Sequence, residues 1–276
     1  MLSLRKKFEC KIKKMANTKF YATKFYATMA IIVFSLTIVF SSCGDNPSVR
    51  VLLVTGGHDF DKEPFYELMH SLEGVSFSEV MHPNALQMFR PENRDLFDVI
   101  LFYDMPGVIS EQEKQDFIDC LRAGKGVVVL HHAYCSYQNW DEYQNIVGGR
   151  YHEKSWIDDQ GYAQPASSYK YDVLMRAKVA DKSHPVTSGI EDFDIIDETY
   201  ANGVVNPGVH LLLTTDEPSS TPAIAWTNRY GNSDVVTIPQ GQITKKPHAD
   251  KIGQQVVKTL TNNTINDFSL HFRNGK

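Results

Sequence analysis

The chain has 276 residues, with 28 Lys and Arg against 33 Asp and Glu and a formal net charge of −5. Beyond residue 42 the balance falls to −12, which argues against nucleic acid as a partner, because phosphate binding needs a basic face. The four cysteines, Cys10, Cys43, Cys120 and Cys135, show no metal-type spacing.

The basic residues are concentrated at the start. Residues 1–28 hold Arg5, Lys6, Lys7, Lys11, Lys13, Lys14, Lys19 and Lys24 against Glu9 alone. Met29 to Phe40 is then an apolar run, short for a membrane span and suited to a signal-peptide core. Ser41 and Ser42 lead into Cys43. The segment resembles a bacterial lipoprotein signal, which implies cleavage before Cys43 and a lipid on its thiol. The protein would then be anchored in the cell envelope, on the periplasmic side or at the surface. An uncleaved anchor with an incidental cysteine is the alternative, and Met15 is a second candidate start. Without residues 1–42 the chain keeps 20 basic and 32 acidic residues, a net −12. The organisation expected is a signal at 1–42, a tether at 43–49, one α/β domain at 50–262 and a tail at 263–276. About 234 residues are enough for one substantial core.

Arg50 to Thr55 reads as a buried strand, with Gly56, Gly57, His58, Asp59 and Phe60 as its exit loop. Pro64 to Leu72 has helical spacing, and Val75 to Met81 alternates as a second strand. Asp98 to Tyr103 is a third strand that exits at Asp104. Ser110 and Glu113 form a capping box for a helix that carries Phe117, Ile118 and Leu121 and is closed by Gly124. Val127 to Leu130 is a fourth strand, apolar and β-branched, that stops at His131 and His132. The alternation of strand and helix predicts a mainly parallel sheet with helices on both faces.

Asp141 to Ile146 reads as helix and Arg150 to Ser168 as a long polar connection holding His152 and Trp156. Strands are expected at Tyr169–Val179, Val209–Thr215, Ala223–Thr227 and Val235–Ile238, and a terminal helix at Ala249–Leu260. Asp197 and Glu198 are adjacent acids after Phe193, Ile195 and Ile196, read either as a solvated turn or as a functional pair.

Three strand exits are polar: Gly57-His58-Asp59, Tyr103-Asp104 and His131-His132. Ligands of open α/β sheets bind beyond the carboxyl ends of the strands, so these exits are expected to share one cleft. Neighbouring residues at a strand end point opposite ways, which favours His132 as the ligand-facing histidine and leaves His131 structural. Gly56 and Gly57 suit a tight turn but lack the third glycine of a dinucleotide fingerprint, and no cofactor is expected. Asp59, His132, His152 and Glu198 are of the types that bind a divalent metal, without a recognised ligand spacing.

In order along the chain stand GGHDF at 56–60, GKGVVVLHHA at 124–133, W-x-x-Y-x-x-x-V-G-G from Trp140 to Gly149, HPVTSGI at 184–190 and DETY at 197–200. Together these resemble the ThuA-like family, named for trehalose utilisation, over roughly Arg50 to Leu260. The resemblance implies a class I glutamine amidotransferase-like fold, with a flavodoxin-like sheet. It also implies a carbohydrate ligand. Two departures stand out. The family commonly carries a Gly-His pair after its last strand, where this chain has Gln242 in the histidine's place. Amidotransferases carry a nucleophilic cysteine on the turn that here bears His131-His132-Ala133, with Cys135 too late.

The leading expectation is a lipid-anchored protein acting on a disaccharide, glycoside or keto sugar. His132 would be its acid–base group, with Glu198 or Asp59 as partner. His58, Gly57, Asp104, Tyr134, Trp140, His152 and His184 are the expected substrate contacts, the aromatics by stacking on a sugar ring. A non-catalytic sugar-binding lipoprotein is the second reading. A cysteine hydrolase pairing Cys135 with His184 is the third.

Overall fold

The structure is a computed structural model that describes residues 48–243, 258–259 and 261–268. The leader, Cys43 and most of the tether lie outside the described residues. In chain order the elements are β1 (Val49–Gly56), α1 (Lys62–His70), β2 (Val75–Met81), β3 (Val99–Asp104), α2 (Glu111–Arg122), β4 (Gly126–Leu130) and α3 (Asp141–Val147). Then follow β5 (Gly149–Arg150), β6 (Trp156–Ile157), β7 (Ala163–Gln164), β8 (Ser168–Val179), β9 (Phe193–Ala201), β10 (Val204–Val205), β11 (His210–Thr215), β12 (Ala223–Tyr230) and β13 (Ser233–Ile238).

One nine-stranded sheet runs in the order β2-β1-β3-β4-β13-β12-β11-β8-β9. The pairings from β2 to β13 are parallel and those from β13 to β9 antiparallel. The architecture is therefore α/β with a mixed sheet, where the sequence led us to expect a mainly parallel one. The reason is in the connections. Gly231 and Asn232 alone join β12 to β13, and a link that short permits only an antiparallel pair.

β3 and β4 are buried along their whole length, as their apolar composition demands. Alternate residues divide the core between the two faces. Val51, Leu53, Val99 and Leu101 pack with Phe65, Leu68 and Met69 of α1. Leu52, Val54, Ile100 and Phe102 pack with Phe117, Cys120 and Leu121 of α2 and with Ile146 and Val147 of α3. The capping box of α2 forms as expected: the Glu113 backbone N–H donates to the Ser110 hydroxyl, and the Ser110 N–H donates to the Glu113 carboxylate.

The expected terminal helix falls largely on residues outside those described. Helix is seen at 258–259 and 261–268, and its Ile265 and Phe268 join the core on the α1 face. Gly126 makes room for Phe268, since a Cβ there would lie 2.3 Å from the ring. Among the described residues no helix is long and apolar enough to cross a membrane.

One departure from a flat sheet creates the site. β11 pairs only with Ala177–Val179 of β8, whereas β9 pairs with β8 from Ser168 to Ala177. Most of the β8–β9 hairpin is thus a two-stranded ribbon projecting beyond the sheet. In a flat sheet β9 would stand about 24 Å from β4, five spacings of ~4.8 Å. Yet Glu198 on β9 lies 3.6 Å from His132, just past β4. The ribbon must curl back over the carboxyl ends of the parallel strands. The register shift between Lys170 and Val173 is the kind of irregularity that bends such a ribbon.

Candidate active site

Four parallel strands end at one small pocket of about 250 Å³. His58, Asp59, Phe60 and Asp61 enter it after β1, Tyr103 at the end of β3, His131 and His132 after β4, and Gln242 and Ile243 after β13. Gly56 and Gly57 make the turn out of β1 with φ of 105° and 88°. A Cβ on Gly57 would lie 2.3 Å from the Met105 carbonyl oxygen, so glycine is needed there for close backbone packing. Gly57 therefore shapes the loop and does not line the pocket. Behind the turn, His58 donates from Nδ1 to the Asp59 carbonyl at 2.9 Å, which leaves Nε2 as the lone-pair nitrogen, buried and unpartnered.

Past Leu130 the chain leaves the sheet as one 3-10 turn, His131–Cys135. His131 takes φ 51°, and the two histidine rings stack at 3.9 Å with 22° between their planes. The expectation that they point opposite ways fails, because strand alternation ends where the turn begins. His131 is buried and His132 half-buried. The His58 ring meets His132 edge-on at 4.6 Å.

β9 supplies the carboxylates, and the solvated-turn reading of Asp197–Glu198 is replaced by a strand buried from Asp197 to Tyr200. Glu198 is 2% exposed. Its Oε2 accepts from the Tyr200 hydroxyl at 2.8 Å, and its Oε1 accepts from Gln242 Nε2 at 3.2 Å. Tyr200 stands two residues on, on the same face, and its hydroxyl is also 3.1 Å from His131 Nδ1. Asp197, facing the other way, accepts N–H bonds from Gly241, Gln242 and Glu198, the last two at 3.2 and 2.7 Å. It ties the segment after β13 to the ribbon and so places Gln242.

Electrostatics follow from burial. His131 is held well below the ordinary histidine range, first by desolvation and then by the neighbouring His132 and His58. His58 is lowered for the same first reason. Tyr200 is pushed well up by burial and by Glu198. Burial raises Asp197 to about 6 against the pull of its three backbone donors. The first two are therefore neutral imidazoles at pH 7.

Other expected contacts lie elsewhere. Asp104 follows Tyr103 on the strand and so faces the opposite side, fully buried, with its Oδ2 2.6 Å from His82 Nε2. Tyr134 donates to the Val204 carbonyl at 2.8 Å and packs on Trp226. Trp140 is a core residue among Phe117, Tyr137 and Tyr143. Closeness in sequence to the strand end misled here, since the 3-10 turn carries the chain down onto the α2 face. His152 stacks on Trp156 at 4.1 Å and lines a separate cleft of about 990 Å³. His184 accepts from the Val186 N–H, packs near His210 and lines a third cavity.

Cys135 lines the His152 cleft, not the cavity of His184, and burial pushes its thiol up. A nucleophilic cysteine needs the reverse, so no Cys135–His184 dyad exists. The metal set expected from sequence changes too: His131, not His152, joins His132 and Glu198, with one ligand atom from each within 4.8 Å of the others.

The site includes three residues that local pattern does not mark. Strand alternation makes His131 structural. Tyr200 is marked only once its segment is read as strand, by its i, i+2 spacing from Glu198. Gln242 stands out in the sequence only as the residue in place of the family's histidine.

These features define an α/β protein with a histidine–carboxylate pocket at the carboxyl ends of its parallel strands. The sequence pattern of the ThuA family, described as trehalose utilisation, matches residues 50–260, and the chain belongs to that family. Among solved structures, a ThuA-like protein from Parabacteroides merdae superposes with a TM-score of 0.64 at 16% identity, over 79% of this chain and 89% of that one. A ThuA-like protein from Bacteroides uniformis gives 0.53 at 16% identity, over 79% and 91%. A cytoplasmic protein of Salmonella typhimurium gives 0.51 at 12% identity, over 79% and 98%. At such identities the likeness is one of fold. Comparison with curated proteins finds no match.

Proposed function

We propose that the pocket binds a carbohydrate and performs proton transfer on it, with His132 as the acid–base group and Glu198 as its carboxylate partner. The observation that carries this reading is the buried Glu198 carboxylate 3.6 Å from His132 Nε2, held on both oxygens by Tyr200 and Gln242. A fixed carboxylate beside an imidazole favours the charged form of the ring that proton transfer produces. The family's association with trehalose utilisation supports a sugar. A pocket of about 250 Å³ is below the ~300–1,000 Å³ of drug-sized ligand sites, which suits one sugar ring or the reacting end of a disaccharide. A keto sugar fits the chemistry, because a carbonyl acidifies the neighbouring C–H that His132 would deprotonate. Asp59, exposed at the rim, is placed to bind sugar hydroxyls. The strand order β2-β1-β3-β4-β13 supports a flavodoxin-like reading of the parallel half. Its first crossover runs to one side of β1 and its next to the other, the arrangement at which such sheets bind ligands.

The test is turnover of trehalose-like disaccharides and their keto derivatives. His132→Ala lowers kcat by about 10²–10⁴-fold, the usual range for a general acid–base group. Glu198→Gln does the same with affinity largely kept, and the double variant loses little more than the worse single one. Binding without turnover would instead establish the second reading, a sugar-binding protein. Gln242 favours that reading, because an amide that cannot titrate stands against Glu198. The envelope location through a lipid on Cys43 is part of the proposal, supported by the basic leader, the apolar run and Ser41-Ser42-Cys43. Labelled fatty acid should enter the full chain and not its Cys43→Ser variant; equal label in both would remove the anchor.

A further inference from the structure

We infer that His131, His132 and Glu198 form a binding site for a single zinc-like divalent cation, facing the pocket. The geometry comes first. His132 Nε2 and Glu198 Oε2 are 3.6 Å apart, too far for a hydrogen bond. Two ligands of one ion, each ~2.1 Å from it at a tetrahedral angle, stand about 3.4 Å apart. The pair is thus spaced for an atom between them. One ring nitrogen of His131 lies within 4.8 Å of both other ligand atoms, so closing the set takes roughly an ångström of side-chain movement.

Charge is the second argument. Glu198 is 2% exposed, and its hydrogen-bond donors, Tyr200 and Gln242, are neutral. Among the described residues no Lys or Arg forms an ion pair with it. A buried carboxylate without a cation is costly, and a bound cation would offset that cost.

The third argument is an unpartnered nitrogen. His58 Nε2 is buried without a hydrogen-bond partner, and such atoms are rare in folded proteins. His58 packs edge-on against His132, with its other nitrogen fixed on the Asp59 carbonyl. That is the outer-shell arrangement seen for metal-binding histidines. His58 is accordingly the candidate for a fourth ligand or for a hydrogen bond to a bound water. Tyr200 and Gln242 orient the carboxylate from behind. Two or three imidazoles with one carboxylate suit zinc and neighbouring transition metals better than calcium or magnesium. An open position on the ion would hold a water acidified toward neutrality, or a sugar oxygen. With an ion bound, His132 Nε2 would be a ligand and not a base, so on the carbohydrate reading an ion-bound water would take the proton assigned above to His132; the binding of the ion does not rest on that reading.

The test uses chelator-treated full-length protein titrated with Zn²⁺ by calorimetry and with Co²⁺ by its visible spectrum. One ion per chain is expected, with the ligand-field bands of low-coordinate Co²⁺. His132→Ala and Glu198→Gln should each weaken binding by at least about 100-fold, beyond the ~10–100-fold loss of an outer-shell partner. Glu198→Gln is nearly isosteric, so it stays informative if His132→Ala misfolds. His184→Ala, in another cavity, should bind as the parent does. Absence of stoichiometric binding, or loss in His184→Ala alone, would overturn the site. Metal binding without sugar turnover keeps this inference and defeats the catalytic proposal. Turnover in protein that binds no ion does the reverse.

Discussion

Asp197 offers the sharpest structural perturbation, because one side chain joins two separate parts of the site. Its carboxylate accepts backbone N–H bonds from Gly241, Gln242 and Glu198 at 5% exposure. Asp197→Ala leaves three donors without an acceptor. Each such group costs about 1–3 kcal/mol when it stays buried. Gly241 and Gln242 follow the last strand and are free to move toward water, so the loss is expected at about 3–5 kcal/mol, short of the full sum. Asp197→Asn keeps one acceptor oxygen and should lose about 1–3 kcal/mol. Urea denaturation of both variants, with unchanged slope, measures these values. The alanine variant should also weaken sugar binding, since Gln242 then loses the position from which it bonds Glu198. A loss below about 1 kcal/mol for Asp197→Ala would show that the clamp between β9 and the 239–243 segment does not carry load, and the reasoning would fail.

Two further predictions concern the frame around the site. Gly57→Ala places a side chain at φ 88° and 2.3 Å from the Met105 carbonyl oxygen, so it should cost more than the ~1–2 kcal/mol of a left-handed alanine and displace His58; a variant as stable as the parent in thermal melts contradicts the close approach. His152 is lowered to about 4, chiefly by burial, against about 6.5 when unfolded. As pH falls the unfolded chain takes this proton first, so stability present above ~6.5 is lost on the way down to about 4. His152→Gln should flatten the dependence of the urea midpoint on pH between 7 and 5, and an unchanged dependence would refute the assignment.

The parts of the fold legible in sequence were those governed by local pattern. β1, β3 and β4 are short apolar runs buried on both faces, and α2 carries a capping box that forms as read. Sheet direction was less legible. It depends on which strands a long connection brings together, and only the two-residue link before β13 carried a local signal. The site divided in the same way. His58, Tyr103 and His132 end apolar runs, so they could be placed at strand exits and they meet in one pocket. Glu198 is legible as a candidate acid, but its buried surroundings are not. Acids inside a strand hide its alternation, and β9 is buried on both faces from Asp197 to Tyr200 because the ribbon folds against the body. No local pattern announces that curl. Trp140 and Tyr134 fail for the complementary reason, since sequence distance from His132 says nothing of the direction in which the 3-10 turn sends the chain.

The central claim is that the pocket lined by His58, Tyr103 and His132, and not the cavity of His152 or of His184, receives the sugar. Histidine ring signals, assigned by single substitution and followed by NMR while trehalose and its keto derivative are added, test it most directly. The account predicts saturable shifts at His58 and His132, with His82, His152 and His184 unmoved. Shifts at His152 or His184 with His58 and His132 silent would place the ligand in another cavity and contradict it.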